Sequence, residues 1–433
     1  MISWKDKREF WISGAKIADP SSGRMRTGSV RVKGGKIAEV SGRSGVETDL
    51  PVLDAGGYVL APGLVDIHTH LRDPGFQEKE TIRTGTAAAA AGGYTTVACM
   101  ANTDPVIDDP SVVEYVLRKA ALEGSCRVQV IAAVTRGLEG RDICEYGHLK
   151  EAGAVALSDD GMFVRNSRTM RSALEYAGML GMTVISHCQD PDLSTETQMN
   201  EGYTSTRLGL RGDPAASEEI AVARDIRLSE LTGSRLHVAH ISTAGAVDMV
   251  REAKKRGVPV TAEATPHHLT LDETLLSGFD RNLKVSPPLR SGDDIEALIE
   301  GLEDGTIDCI ATDHAPHTEI DKQVEFDLAP PGMIGLETAF ALLHTELVEK
   351  GRIGLLDLVR LMTAGPAGVL GLGCGTLEEG SEADLVLIDP SAEWTLDRSV
   401  LRSRSANTPL LGRKFRGRVA GVFLEGKWAS AVI

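Results

Sequence analysis

Residues 59–72 read VLAPGLVDIHTHLR, an apolar run closed by His68-Thr69-His70 and followed by Leu71 and Arg72. A buried β-strand requires such a run, and the reading predicts one strand over 59–70. Side chains alternate across a strand, so His68 and His70 face the same way at its C-terminal mouth. Two imidazoles on one rigid backbone make half of a metal site, and a guanidinium two residues on can grip an anionic substrate. The plainer alternative, two histidines packed in a core, weakens as the rest of the chain is read.

Outward from this stretch, seven further apolar β segments follow at 95–100, 127–134, 154–160, 183–188, 235–240, 260–266 and 308–313. Helical patterns lie at 77–91, 111–123, 168–180, 214–232, 244–256, 292–303 and 335–349. The alternation predicts an α/β fold, a closed (β/α)8 barrel over residues 59–371. An open doubly wound sheet fits less well. No glycine-rich phosphate turn follows the first strand, and GLGCG at 371–375 comes after a helix, so it reads as a turn. The two ends differ from the middle: short strands with glycine turns fill 8–56 and return over 383–433. They predict one small β domain built jointly from residues 1–58 and 372–433, with no Pro- or Ser-rich linker before it.

The 433-residue chain is 42% hydrophobic and 25% charged with a formal net charge of −16, a soluble globular composition. Without a basic stripe, that charge argues against nucleic acid and anionic membranes as partners. Lys254-Lys255-Arg256 reads as the solvated, cationic end of a helix. The opening MISWKDKREFWISG lacks the apolar centre of a signal peptide, and no stretch approaches the roughly 18 apolar residues of a membrane span. Six scattered cysteines without a C-x-x-C pair read as reduced core residues of a cytoplasmic enzyme.

In a barrel, catalytic groups sit at the C-terminal ends of strands. Those ends carry His68 and His70 on the first strand, Asp160 on the fourth, His187 on the fifth, His240 on the sixth and Asp313 on the eighth. A polar residue often closes a strand, so any one of these alone is weak. Six at five of eight ends point to a site. Four neutral imidazoles and two carboxylates suit a pair of divalent cations, zinc above all. No lysine lies between Lys150 and Lys254, so the carboxylated lysine that bridges two metals in many such barrels has no candidate on the fourth strand. Asp160 is placed to bridge instead. Asp159, Cys188 and His314 alternate to the opposite faces, where turn hydrogen bonds or packing are expected.

DIHTHLRDPG (66–75), MANTDP (100–105), LSDDG (157–161), SHCQD (186–190), MNEGYTSTRLGLRGDP (199–214), AHISTAG (239–245), EATPHHL (263–269), SPPLR (286–290) and ATDHAPHTEIDK (311–322) occur in this order. Together with the closing ADLVLIDP and NTPLLGRKFRGRV, they resemble the class I dihydroorotases of the amidohydrolase superfamily over essentially the whole chain. The resemblance implies a distorted (β/α)8 barrel with a small β-sandwich from both termini. It implies reversible cyclisation of N-carbamoyl-L-aspartate to L-dihydroorotate, the third step of de novo pyrimidine biosynthesis. It further implies two zinc ions, one held by His68, His70 and Asp313, the other by His187 and His240, with Asp160 and a hydroxide bridging. Asp313 would also shuttle the proton. Arg72 and Asn102 would bind the α-carboxylate, with His70 and His317 beside them.

Two departures from the family pattern concern the substrate ring: Ser286 where Asn is frequent, and Pro331-Gly332 where Phe-Gly is frequent. His267 and His268 read as outer support or packing. Two rivals stand beside this reading: another cyclic amide hydrolase (dihydropyrimidinase, hydantoinase or allantoinase), and an inert scaffold subunit of aspartate carbamoyltransferase. The first generally needs the missing lysine, and the second loses metal ligands that this chain retains. Self-association and association with the transferase stay open at this stage.

Overall fold

Eight parallel strands carry the middle of the chain: Leu64–Thr69, Tyr94–Cys99, Arg127–Ala132, Ala154–Ser158, Thr183–Ser186, Leu236–Val238, Val260–Ala264 and Cys309–Ile310. They pair in chain order, first to eighth. The seam between the last and the first is closed by single contacts. A bridge joins Thr69 to His314, and the His70 N–H donates to the His314 carbonyl at 2.9 Å. The buried Asp66 carboxylate accepts the Thr312 N–H at 3.2 Å. The helices begin where Thr81, Asp109, Asn166, Thr243 and Ser291 accept otherwise free backbone N–H groups. The computed structural model describes residues 8–431; the first seven residues of the opening stretch and the last two residues of the terminal domain lie outside it.

The deciding stretch is two strands, a correction to the single strand expected over 59–70. Val59–Pro62 pairs with Glu9–Asp19 and Leu385–Thr395, and the barrel strand starts only at Leu64. Gly63 makes the join: a Cβ there would lie 2.1 Å from the Thr95 hydroxyl oxygen, so only glycine fits. An apolar run cannot show this change of sheet, because both strands are buried. The domain boundary drawn ahead of residue 59 therefore cuts off a strand that the hydrogen bonding assigns to the terminal sheet.

That sheet has eight strands, with Arg24–Lys33, Lys36–Ser41, Val52–Asp54, Lys414–Leu424 and Lys427–Ala431 completing it. All eight belong to one continuous hydrogen-bonded sheet. It rolls until Ile37 exchanges backbone hydrogen bonds with Gly380 and Ser381, ahead of the strand Leu385–Thr395. Phe10, Ile12, Ile37, Leu60, Leu385 and Phe423 fill the hollow. The opposite face, with Ala18, Ala61, Val386 and Val419, joins the core of the barrel helices.

Three further differences have local causes. Tyr146–Glu151, between the third and fourth strands, is too short a helix to show a period. The helix expected over 335–349 is Ala339–Leu343 followed by a π turn, His344–Val348. Lys254 is tied down, donating to both carboxylate oxygens of Asp308 at 2.7 and 2.8 Å. All six cysteines are free.

Candidate metal centre and substrate cavity

The six residues at the strand ends meet. His68 Nε2 lies 3.2 Å from Asp160 Oδ1 and 3.6 Å from Asp313 Oδ1. His70 Nε2 lies 3.0 Å from Asp313 Oδ1 and 3.4 Å from Asp160 Oδ2. On the other side, Asp160 Oδ1 is 3.5 Å from His240 Nε2 and 3.8 Å from His187 Nδ1, and those two nitrogens are 2.9 Å apart. Asp160 thus stands between a His68, His70 and Asp313 group and a His187 and His240 group. All six are buried. Asp313 and His240 have φ of +47° and +32°, and Arg72 has +58°, the left-handed region that non-glycine residues seldom occupy. Three such residues at strand ends mark backbone held in place by its surroundings.

The surroundings call for positive charge. Burial alone would neutralise the His68 imidazolium, yet Asp160 and Glu263 hold its pKa well above the usual range. Burial likewise opposes ionisation of Asp313, but the hydrogen bond from His70 and the His68 charge keep its carboxyl well below the normal value. His68 Nε2 and Asp160 Oδ1 are buried without a hydrogen-bond partner. Buried donors and acceptors are seldom left unpaired, and here they converge on one point. The donor set of imidazole nitrogens and carboxylate oxygens fits a divalent cation of the zinc type.

Neighbours fix which ring nitrogen His68, His70 and His187 present. His68 Nδ1 lies 2.5 Å from Glu263 Oε1, His70 Nδ1 2.9 Å from Asn102 Oδ1, and His187 Nε2 3.1 Å from Gln189 Oε1. In these three the outer nitrogen is engaged by an oxygen, which leaves the inner one free as a ligand atom, whereas the outer Nδ1 of His240 is buried without a partner. Glu263 and Gln189 escaped the sequence reading. Glu263 had one visible signal, a carboxylate amid the apolar VTAEA strand.

A cavity of about 280 Å³ opens on the cluster, lined by His70, Arg72, Asn102, Asp160, Ser286, Asp313, His317, Pro331 and Gly332 among others. Every residue expected to touch substrate therefore borders one space. The Arg72 Nε–H donates to the Pro316 carbonyl at 3.3 Å, steering the guanidinium, and Asn102 Nδ2 donates to the Asp160 carbonyl at 3.4 Å. His317 donates from Nε2 to the Pro331 carbonyl at 2.9 Å; burial and the Arg72 charge push its pKa down to about 3. Gly332, with φ of +126°, leaves no room for a side chain against Ala315. Ser286 donates to Gln189 Oε1 at 2.8 Å, so its hydroxyl is engaged beside the cavity.

The residues set aside earlier have structural partners. Asp159 accepts the Val134 and Thr135 N–H groups at 2.8 and 3.0 Å, a turn contact. Burial raises its pKa to about 6. His268 bonds Thr265 and the Pro287 carbonyl, while His267 is buried with Nε2 unpartnered. His314 does more than pack: its Nε2 is 3.4 Å from Glu80 Oε2 and its Nδ1 accepts the Gly335 N–H. Lys150 donates to the Leu180 carbonyl at 2.6 Å, where no bridging role is open to it.

A family model described as dihydro-orotase-like matches residues 57–246. A curated dihydroorotase of Pelotomaculum thermopropionicum is 54% identical over 419 residues, 96% of this chain and 97% of that protein. One of Syntrophus aciditrophicus is 49% identical over 417 residues, covering 96% and 98%. The structure of a dihydropyrimidinase from Brevibacillus agri superposes with a TM-score of 0.84 at 26% identity, over 98% of this chain and 96% of that one. An L-hydantoinase from Arthrobacter aurescens superposes with a TM-score of 0.88 over 99% and 98%; at 24% identity it speaks for the barrel fold alone. With about half of its residues shared over nearly its full length with curated dihydroorotases, the chain belongs to the dihydroorotase family.

Proposed function

We propose that this protein is a dihydroorotase, interconverting N-carbamoyl-L-aspartate and L-dihydroorotate in the third step of pyrimidine biosynthesis. One observation carries the reading: a single cavity is lined both by the His/Asp cluster and by Arg72, Asn102 and His317. A hydrolase of neutral cyclic amides has no use for a guanidinium there, whereas dihydroorotate brings a free carboxylate. The family relationship supports the same substrate.

His68, His70 and Asp313 would hold one zinc ion and His187 and His240 a second, with Asp160 shared between them. When bound, such cations polarise the reacting carboxyl group and lower the pKa of water. The chain does the rest. Arg72 offers a planar fork to the α-carboxylate, with Asn102 and His317 beside it, and so sets the side-chain carboxyl toward Asp313. In cyclisation the terminal ureido nitrogen forms a bond to that carboxyl carbon. Asp313 accepts the nitrogen's proton and returns it to the departing oxygen, which leaves as hydroxide, and a further proton taken up from solvent completes the water. Hydrolysis runs the same steps backwards, with the Asp313 proton going to the leaving ring nitrogen.

The test is an assay of purified protein against dihydroorotate, dihydrouracil, hydantoin and allantoin, with metal content measured before and after chelation. Hydrolysis of dihydroorotate alone, lost on chelation and restored by zinc, is the expected result. Preference for dihydrouracil or hydantoin would move the protein to the activities for which its structural neighbours are named. Absence of both metal and turnover would leave the scaffold reading.

A further inference from the structure

Beneath the cluster, deeper in the barrel, lies a buried chain of groups that the proposed reaction does not use. Glu263 sits within the seventh strand, and its carboxylate is completely buried. Oε1 is 2.5 Å from His68 Nδ1 and accepts the His240 backbone N–H at 3.3 Å. Oε2 is 3.1 Å from His237 Nε2, and His237 Nδ1 is 2.8 Å from the Thr261 hydroxyl. One carboxylate therefore touches a side chain from one half of the site and the main chain of the other half.

We propose that Glu263, itself oriented by His237, is a positioning residue for the metal centre, holding His68 as the Nδ1–H tautomer and fixing the strand end that carries His240. The inference rests on the metal centre proposed above. An imidazole ligand must offer a bare nitrogen, and His68 can offer Nε2 only while its proton stays on Nδ1. A carboxylate at hydrogen-bond distance from Nδ1 enforces that tautomer and makes Nε2 a stronger donor. His237 supplies the fixed second partner without which Glu263 could rotate away. Burial at this depth also excludes water, which would otherwise compete for the same carboxylate.

His237, Glu263 and Cys309 also lie close enough together to suggest a separate cation site. The chemistry is against it. Both His237 nitrogens already have hydrogen-bond partners, and Cys309 sits among Val65, Ile67, Ala98 and Ala311, apolar surroundings that disfavour a thiolate.

The experiment uses the full chain stripped of metal and compares wild type with Glu263→Gln, Glu263→Asp and His237→Gln. Zinc affinity is read by competition with a chelating dye, the cobalt(II)-substituted protein gives a visible spectrum, and the metal-free proteins are melted. Glu263→Gln is expected to bind zinc about 10- to 100-fold more weakly and to shift the cobalt bands, with a metal-free melting point near that of wild type. Glu263→Asp should restore part of the affinity, and His237→Gln should show a smaller loss of the same sign. Should Glu263→Gln fail to fold, the other two variants carry the comparison. Unchanged zinc affinity in the variants, with only the metal-free melting point lowered, would reduce Glu263 to a structural group and overturn the proposal. Loss of one metal equivalent in Cys309→Ala with activity retained would overturn it too, in favour of a separate site. A wild-type protein that binds no divalent ion defeats the functional reading instead, so the two failures are distinct.

Discussion

At the scale of single residues, the proposed activity turns on two side chains whose backbones share an unusual conformation. Asp313 and Arg72 both have positive φ, so each leaves its strand end at an angle that regular β structure does not reach. Asparagine tolerates that conformation, which makes Asp313→Asn a clean probe of the carboxylate. It should lower turnover of dihydroorotate by about 10²- to 10⁴-fold, the range general acid–base groups contribute, while zinc binding is weakened but not abolished. Steady-state kinetics beside metal analysis decide the matter; turnover within tenfold of wild type eliminates Asp313 as the proton acceptor. Arg72→Lys keeps the charge and loses the fork. Losing a charge-assisted contact of about 1.5–3 kcal/mol, it should raise KM by roughly 10- to 100-fold with a much smaller effect on kcat. An unchanged KM removes Arg72 from carboxylate binding.

At the scale of elements, the fold shows what local pattern can and cannot reveal. Barrel strands announce themselves because parallel strands buried on both faces need unbroken apolar runs, and the candidate ligands at their ends announce themselves because a histidine or aspartate closes such a run. The change of sheet at Gly63 was hidden in one of those runs, and Glu263 was hidden because its partner, His68, lies 195 residues away in sequence. Gln189 was missed for a similar reason, since its importance comes from His187 and Ser286 converging on one amide oxygen. The segment 402–405, another long-range feature, is docked on the barrel by two carboxylates. Glu337 accepts the Arg402 and Ser403 N–H groups at 2.7 and 3.2 Å, and Glu80 accepts the Arg404 N–H at 3.1 Å. Burial, with Glu80 nearby, raises the Glu337 pKa from 4.5 to about 7. The folded state therefore holds this proton more tightly than the unfolded chain does. Its contribution to stability is complete below pH 4.5 and is lost as pH rises through 7. Glu337→Gln removes the titration, so the variant should gain on wild type between pH 5 and 7.5 by an amount on the order of 1–3 kcal/mol. Denaturant unfolding at the two pH values measures it, and a constant difference would show that Glu337 does not titrate in this window.

For the whole molecule, the question is whether the terminal sheet and the barrel stand or fall together. One hydrophobic core runs through both: Ala61, Val386 and Val419 of the sheet pack with Leu64, Ala88 and Tyr94 of the barrel. The chain enters the barrel from the sheet through Gly63 alone, between the strands Val59–Pro62 and Leu64–Thr69. The tryptophans provide a natural test. All four, Trp4, Trp11, Trp394 and Trp428, belong to the terminal regions, and the barrel has none. Fluorescence from Trp11, Trp394 and Trp428 reports on the strands of the sheet that carry them, while the proposed metal centre lies in the barrel. A ligand that binds only the folded state stabilises by about 4 kcal/mol at a thousandfold excess over its Kd. Chelation should therefore lower the thermal midpoint by several degrees. If the shared core couples the two parts, tryptophan fluorescence and far-ultraviolet circular dichroism will shift together and by the same amount. A fluorescence midpoint that ignores chelation, while the dichroism midpoint falls, would mean that the sheet unfolds as a separate unit despite the continuous core.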